Sequence, residues 1–143
     1  MKKVTVLYWS GTGNTEIMAN AIADGVKNAG NPVDVVKFED ANKDMVINSE
    51  LIAFGCPSMG AEVLEEEFVD PFIESLKDVN FAEKSIALFG SYDWGDGEWM
   101  RNWEEQMKGY GATLVDDGLI LQLAPDDDGI QDCKDLGDKL AKA

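Results

Sequence analysis

Ser10-Gly11-Thr12-Gly13-Asn14-Thr15 is a short polar run set between two apolar stretches. Before it, Val4-Thr5-Val6-Leu7-Tyr8-Trp9 reads as a strand. After it, Ile17, Met18, Ala21, Ile22, Gly25, Val26 and Ala29 recur at spacings of three and four, which is one face of a helix. Strand, glycine- and hydroxyl-rich loop, then helix is the unit that turns backbone N–H groups and the positive end of a helix towards a phosphate. Gly11 and Gly13 let the backbone approach an anion closely, and Ser10, Thr12 and Thr15 each carry a hydroxyl able to donate to it. No lysine or arginine stands between Lys3 and Lys27. A phosphate held here is therefore held without a formal positive charge from the loop itself. The same absence excludes a P-loop, which needs Gly-Lys-Ser/Thr. The dinucleotide fingerprint fits at Gly11 and Gly13 but fails at Glu16, where Gly or Ala belongs. The loop suits a single terminal phosphate.

Working outward, the first helix is expected from about Asn14 to Ala29, with Gly30-Asn31-Pro32 as its stop. Val33 to Phe38 reads as a second strand. Glu39 to Asp44 is a polar connection, followed by a helical turn through Met45-Val46-Ile47. Leu51 to Cys56 is wholly apolar, the signature of a strand buried on both faces of a parallel sheet. Leu64, Phe68, Phe72 and Leu76 then recur four apart, with Val69 and Ile73 beside them. Asp70-Pro71 predicts an N-cap with proline at the first helical position. Ser85 to Gly90 is a fourth strand. Trp99, Met100, Trp103, Met107 and Tyr110 mark a helix that Gly111 ends. Leu119 to Leu123 is a fifth strand, with Thr113 as an alternative start. Ile130, Cys133, Leu136, Gly137 and Leu140 form the last helical face. Strands alternating with helices predict a three-layer, doubly wound α/β fold. It has a five-stranded parallel sheet and forms one domain over residues 1–143.

Composition narrows the function. A net charge of −16 argues against nucleic acid and anionic membranes as partners and favours basic protein surfaces. The chain has no histidine, which removes His-based acid–base chemistry and His metal sites. Cys56 and Cys133 form no metal-binding spacing, and no catalytic or metal site is read from the sequence. After Met1-Lys2-Lys3 the apolar run is too short for a signal sequence, and no later stretch is long enough to span a membrane. A cytoplasmic monomer is expected, with both thiols filling cores.

In parallel α/β sheets ligands sit beyond the C-terminal strand ends. Three loops lie there: Ser10–Thr15, Pro57–Glu62 and Ser91–Gly97. Met59 and Trp94 are large apolar residues in loops otherwise made mostly of small and acidic ones. Trp94, between Asp93 and Gly95-Asp96-Gly97, is poorly placed for a core and well placed to lie against a flat ligand. Gly60 gives backbone freedom beside Met59, and Glu62 can accept from a ring N–H. A phosphate loop with two residues able to sandwich a ring points to a phosphorylated planar cofactor.

These residues resemble the short-chain flavodoxins of clostridia and rumen anaerobes. The resemblance covers nearly the whole chain. It rests on Tyr8-Trp9-Ser10-Gly11-Thr12-Gly13-Asn14-Thr15, on Gly55-Cys56-Pro57-Ser58-Met59-Gly60, and on Ala87 to Tyr92 with Trp94-Gly95-Asp96-Gly97. It implies bound FMN, the flavodoxin-like strand order 2-1-3-4-5, and a low-potential one-electron carrier that serves separate oxidoreductases and is not itself an enzyme. Such a carrier cycles between the semiquinone and the anionic hydroquinone. Residue by residue, it implies that Ser10, Gly11, Thr12, Gly13, Asn14 and Thr15 hold the phosphate. Met59 and Trp94 flank the ring, and Glu62 accepts from its N3–H. Ser58, Gly60, Ala61, Ser91, Tyr92, Asp93 and Gly95 complete the cofactor-binding set. The peptide after Gly60 turns over on reduction in such proteins. Ala61 and Asp93 depart from the pattern, standing where a polar residue and a glycine are usual.

Three other readings are weaker. An NAD-binding domain finds a ribose-binding acid in Glu39 or Asp40 but is opposed by Glu16. A phospho-acceptor receiver needs acids where Trp9-Ser10 and Cys56 stand. An FMN-dependent quinone reductase of the same fold lacks an evident insertion to build a substrate pocket.

Overall fold

The strands β1 (Val4–Tyr8), β3 (Leu51–Gly55) and β4 (Ser85–Tyr92) are buried almost throughout and mostly apolar because helices cover both faces of the sheet. Alternate residues go to opposite cores. Val4, Val6, Tyr8, Leu51, Ala53, Ala87 and Phe89 pack under α1 (Asn14–Asn28) and α5 (Asp127–Ala141). Leu7, Ile52, Phe54, Ile86 and Leu88 pack against α2 (Lys43–Ile47), α3 (Val69–Glu74) and α4 (Glu98–Gly109). The computed structural model describes residues 2–143. Met1, which opens the run read above as too short for a leader, lies outside them.

The sheet order is β2-β1-β3-β4-β5, with every pairing parallel, β2 being Val33–Lys37 and β5 Thr113–Leu114. The expected order 2-1-3-4-5 is borne out. Val4 stands opposite both Val33 and Leu51, so β1 is an interior strand and the chain leaves it first to one side, for β2, and then to the other, for β3. That switch point lies between the C-terminal ends of β1 and β3. Helices α1 and α5 approach so closely that a Cβ on Gly25 would strike the carbonyl of Lys134, and one on Gly137 the carbonyl of Ile22. Asn31 ties the far end, donating to the carbonyls of Lys2 at 2.9 Å and Ala141 at 3.1 Å.

The structure corrects several boundaries. The fifth strand is broken: β5 pairs with Ser85–Ile86, and β6 (Leu119–Gln122) pairs with Phe89–Tyr92. Between them Asp116-Asp117-Gly118 leaves the sheet. The Gly118 amide donates to Glu104 at 2.9 Å, and Asp116 pairs with Lys139 at 3.1 Å. Leu123 falls outside the strand, with φ +57°. Helix α2 includes Lys43 and Asp44 because the Asn42 side chain caps it, accepting from the Met45 amide at 3.1 Å.

Asp70 is not the cap of α3. The helix starts at Val69, two residues before the expected Pro71, because the buried Glu65 carboxylate takes the amides of Glu67 (2.8 Å), Phe68 (2.6 Å) and Val69 (3.0 Å). Pro71 sits within the first turn, where its missing N–H costs nothing. The buried stripe is Val69, Ile73 and Leu76, which leaves Phe68 exposed.

Candidate functional site

Gly13 adopts the left-handed conformation (φ +96°) immediately before α1. This lets the preceding loop fold back over the helix N-terminus. The Ser10 hydroxyl oxygen accepts from the amides of Gly13 (3.1 Å) and Glu16 (3.2 Å), which fixes the curl. Among the described residues, the amides of Gly11, Thr12, Asn14 and Thr15 have no acceptor. A ring of unclaimed N–H groups at the positive end of a 15-residue helix is an anion seat. Thr12 is exposed and Asn14 half-buried, so both side chains are available there. Thr15 is buried and committed elsewhere: its hydroxyl lies 2.9 Å from that of Ser91 and accepts from the Ser91 amide at 3.3 Å. It ties the first loop to the third.

The second loop is a tight hairpin. Met59 and Val63 exchange both backbone hydrogen bonds, at 3.0 and 3.1 Å, and enclose Gly60, Ala61 and Glu62. Gly60 (φ +41°) and Ala61 are exposed at the tip, with open space beside the Gly60 α-carbon. Glu62 is buried and holds φ +56°, an uncommon conformation for a residue with a side chain. Its Oε1 accepts from the amides of Asp96 (3.1 Å) and Gly97 (3.3 Å) in the third loop.

The third loop leaves Trp94 62% exposed, so it belongs to no core. Asp93 is exposed, and its carbonyl accepts from Gln122 Nε2 at 3.1 Å. Asp96 pairs with Arg101 at 2.9 Å, and that guanidinium holds its carboxyl below the usual range.

A cavity of about 230 Å³ opens where the loops meet. From the residues expected on sequence, it is lined by Gly11, Thr12 and Asn14, by Ser58 and Met59, and by Ser91, Tyr92 and Asp93. Ser10, Gly13 and Thr15 shape the first loop from behind. Gly60, Ala61, Glu62, Trp94 and Gly95 stand beside the cavity rather than in its wall. Trp9, Pro57 and Leu123 line it and were not expected. Trp9 lies against Gly11, where an added Cβ would come within 3.0 Å of the ring. All three follow C-terminal strand ends, the same rule that located the loops.

Two neighbouring groups have other work. Burial, with a hydrogen bond to Glu16 at 2.9 Å, pushes the Tyr8 hydroxyl up to about 12. Burial likewise pushes the Cys56 thiol up to about 12, so it is inert as a nucleophile. Among the described residues, no group of three or more His, Cys, Asp or Glu side chains is placed to hold a metal.

The strand order and these loops define a protein that holds a phosphorylated planar ligand at the switch point of a parallel sheet. A family model described as flavodoxin matches residues 6–137. The flavodoxin of Clostridium beijerinckii is 48% identical over 136 residues, covering 95% of this chain and 97% of that protein. The flavodoxin of Megasphaera elsdenii is 45% identical over 140 residues, covering 98% and 99%. The solution structure of the two-electron reduced Megasphaera elsdenii flavodoxin superposes with a TM-score of 0.88 over 98% of this chain and 99% of its own.

The chain belongs to the flavodoxin family, and the resemblance read from its sequence is borne out. Proteins of this family bind FMN and carry electrons between oxidoreductases, and are not enzymes in their own right. Flavodoxins are themselves the type example of this strand order with a ligand at the β1/β3 switch point. The residues present fit FMN: unclaimed amides suit a terminal phosphate, Met59 lines a cavity with both polar and apolar residues in its wall, and the exposed Trp94 follows Asp93 of that wall.

Proposed function

We propose that residues 1–143 act as one FMN-binding unit, a low-potential one-electron carrier whose redox partners present basic surfaces. The observation that carries this reading is the pairing of the amide-lined loop at α1 with an exposed Trp94 beside the same cavity. The amides of Gly11, Thr12, Asn14 and Thr15 would bind the phosphate, with Thr12 and Asn14 adding side-chain contacts. Met59 and Trp94 would enclose the ring, and the second oxygen of Glu62 would accept from a ring N–H. FMN supplies the redox centre, accepting and releasing electrons one at a time. The three loops would hold and orient it, with the exposed Asp93 at the cavity wall.

Exposed acids support the partner assignment. Glu66, Glu67 and Asp93 are exposed near the loops, and the chain carries a net charge of −16. Such a surface steers basic proteins and repels nucleic acid. Among the described residues no helix is long and apolar enough to cross a membrane. A cytoplasmic monomer is the assignment that accompanies this reading. Mass spectrometry of ligand released by denaturing the purified protein is expected to yield FMN, one per chain. FAD, or no flavin with no uptake of added FMN, would sink the assignment.

A further inference from the structure

Glu62 occupies a backbone conformation that a glycine would adopt more cheaply, yet it carries a full acidic side chain into a buried position. The side chain must therefore contribute something that outweighs the strain. Its Oε1 receives two amides from a loop that follows a different strand, those of Asp96 and Gly97. Gly95 is shaped around it: a Cβ there would collide with the same oxygen. The Glu62 carboxylate thus joins the hairpin that carries Met59 to the loop that carries Trp94. Apart from those into α4, the other ties of the third loop sit at its first two residues or at the Asp93 carbonyl. Ser91 meets Thr15 and Ser58, and Tyr92 meets Leu123. Beyond Tyr92, the Glu62 carboxylate is the link between the second and third loops among the described residues.

We propose that Glu62 is a positioning residue that sets the gap between Met59 and Trp94, one oxygen clamping the third loop to the hairpin and the other left for the ligand. The ligand half of this inference rests on the FMN reading; the clamp does not.

Amide hydrogen exchange by NMR on the full FMN-loaded chain, and on the same chain stripped of FMN, tests the clamp. Glu62→Ala is expected to speed exchange at Asp96 and Gly97 about tenfold or more, the factor carried by lost hydrogen bonds to a charged group. Met59 and Val63 keep their mutual bonds and should hold their protection. Glu62→Gln retains an Oε1 acceptor and is expected to restore protection at Asp96 and Gly97. Gly95→Ala, which displaces the carboxylate sterically, is expected to raise exchange as Glu62→Ala does. On the ligand side, Glu62→Ala should weaken FMN and riboflavin by the same factor, because the clamp serves the ring and not the phosphate. Unchanged protection in Glu62→Ala, or failure of Glu62→Gln to restore it, overturns the clamp. If the chain takes up no flavin, the exchange result still stands or falls alone.

Discussion

Thr12 and Thr15 look alike in the sequence, two hydroxyls of one phosphate loop, and the fold gives them different work. Thr12 is exposed at the cavity wall, whereas Thr15 is buried and bonded to Ser91. Thr12→Ala should weaken FMN while leaving riboflavin nearly untouched, by roughly 1.5–3 kcal/mol for a donor to a charged group. Thr15→Ala should instead lower the stability of the apoprotein by about 1 kcal/mol, the net worth of a hydrogen bond, since it leaves Ser91 short of a partner. Titration with both ligands, beside urea denaturation of the apoprotein, separates the two; identical behaviour would contradict the assignment. Trp94 and Trp9 differ in a similar way from Trp99 and Trp103, which lie fully in the core. Trp94→Ala is expected to reduce FMN affinity and to remove a large part of the fluorescence quenching on binding. Trp9 lines the cavity, so its own substitution accounts for part of what remains. At this scale the sequence was a good guide to which loops matter. It could not show which hydroxyl faces inward, because that depends on a residue 76 positions away.

Elements were legible where burial on both faces left a mostly apolar run, as in β1, β3 and β4, or where a single apolar stripe recurred, as in α1, α4 and α5. Legibility failed where a side chain from outside the element decides its start. Asp70-Pro71 has the form of a helix start, but Glu65 reaches the amides first and moves the start to Val69. The fifth strand failed for a related reason: Asp116 and Gly118 have partners off the sheet, Lys139 and Glu104, that draw the chain away between β5 and β6. Trp9 and Leu123 escaped notice because apolar residues at strand ends look like more strand, and Pro57, though placed in the second loop, has no polar side chain to mark it as a contact. The Glu65 assignment carries a consequence for α3. Glu65→Ala removes the acceptor of three amides and should destabilise the protein by about 1–2 kcal/mol, at the upper end for helix caps. Asp70→Ala should cost far less. Urea denaturation of the two variants decides it, and a larger loss from Asp70→Ala would return the cap to that residue.

Over the whole molecule the acids set a field, and the structure sorts which of them act freely. Glu65 is spent on α3, Glu62 on the third loop, and Asp96 on Arg101. Asp93 has no ion-pair partner among the described residues and lies at the cavity wall. The family resemblance implies that the second electron adds a negative charge at the bound ring without a proton. A unit charge about 12 Å from a carboxylate is repelled by roughly 0.3–1.4 kcal/mol for an effective dielectric between 80 and 20. One-electron transfer turns about 1.4 kcal/mol into about 59 mV, so one such acid lowers the second potential by roughly 15–60 mV. Exposure and a Debye length of about 8–10 Å place Asp93 towards the lower end at physiological salt. Asp93→Gly should therefore raise the second one-electron potential by tens of millivolts at low salt and by less at high salt. The first potential should shift less, because that step takes up a proton with its electron. The same substitution should slow association with a basic partner protein, most clearly at low ionic strength. Redox titration of both couples at two salt concentrations settles the matter. A second potential that stays put or falls would mean that the Asp93 carboxylate does not face the redox centre.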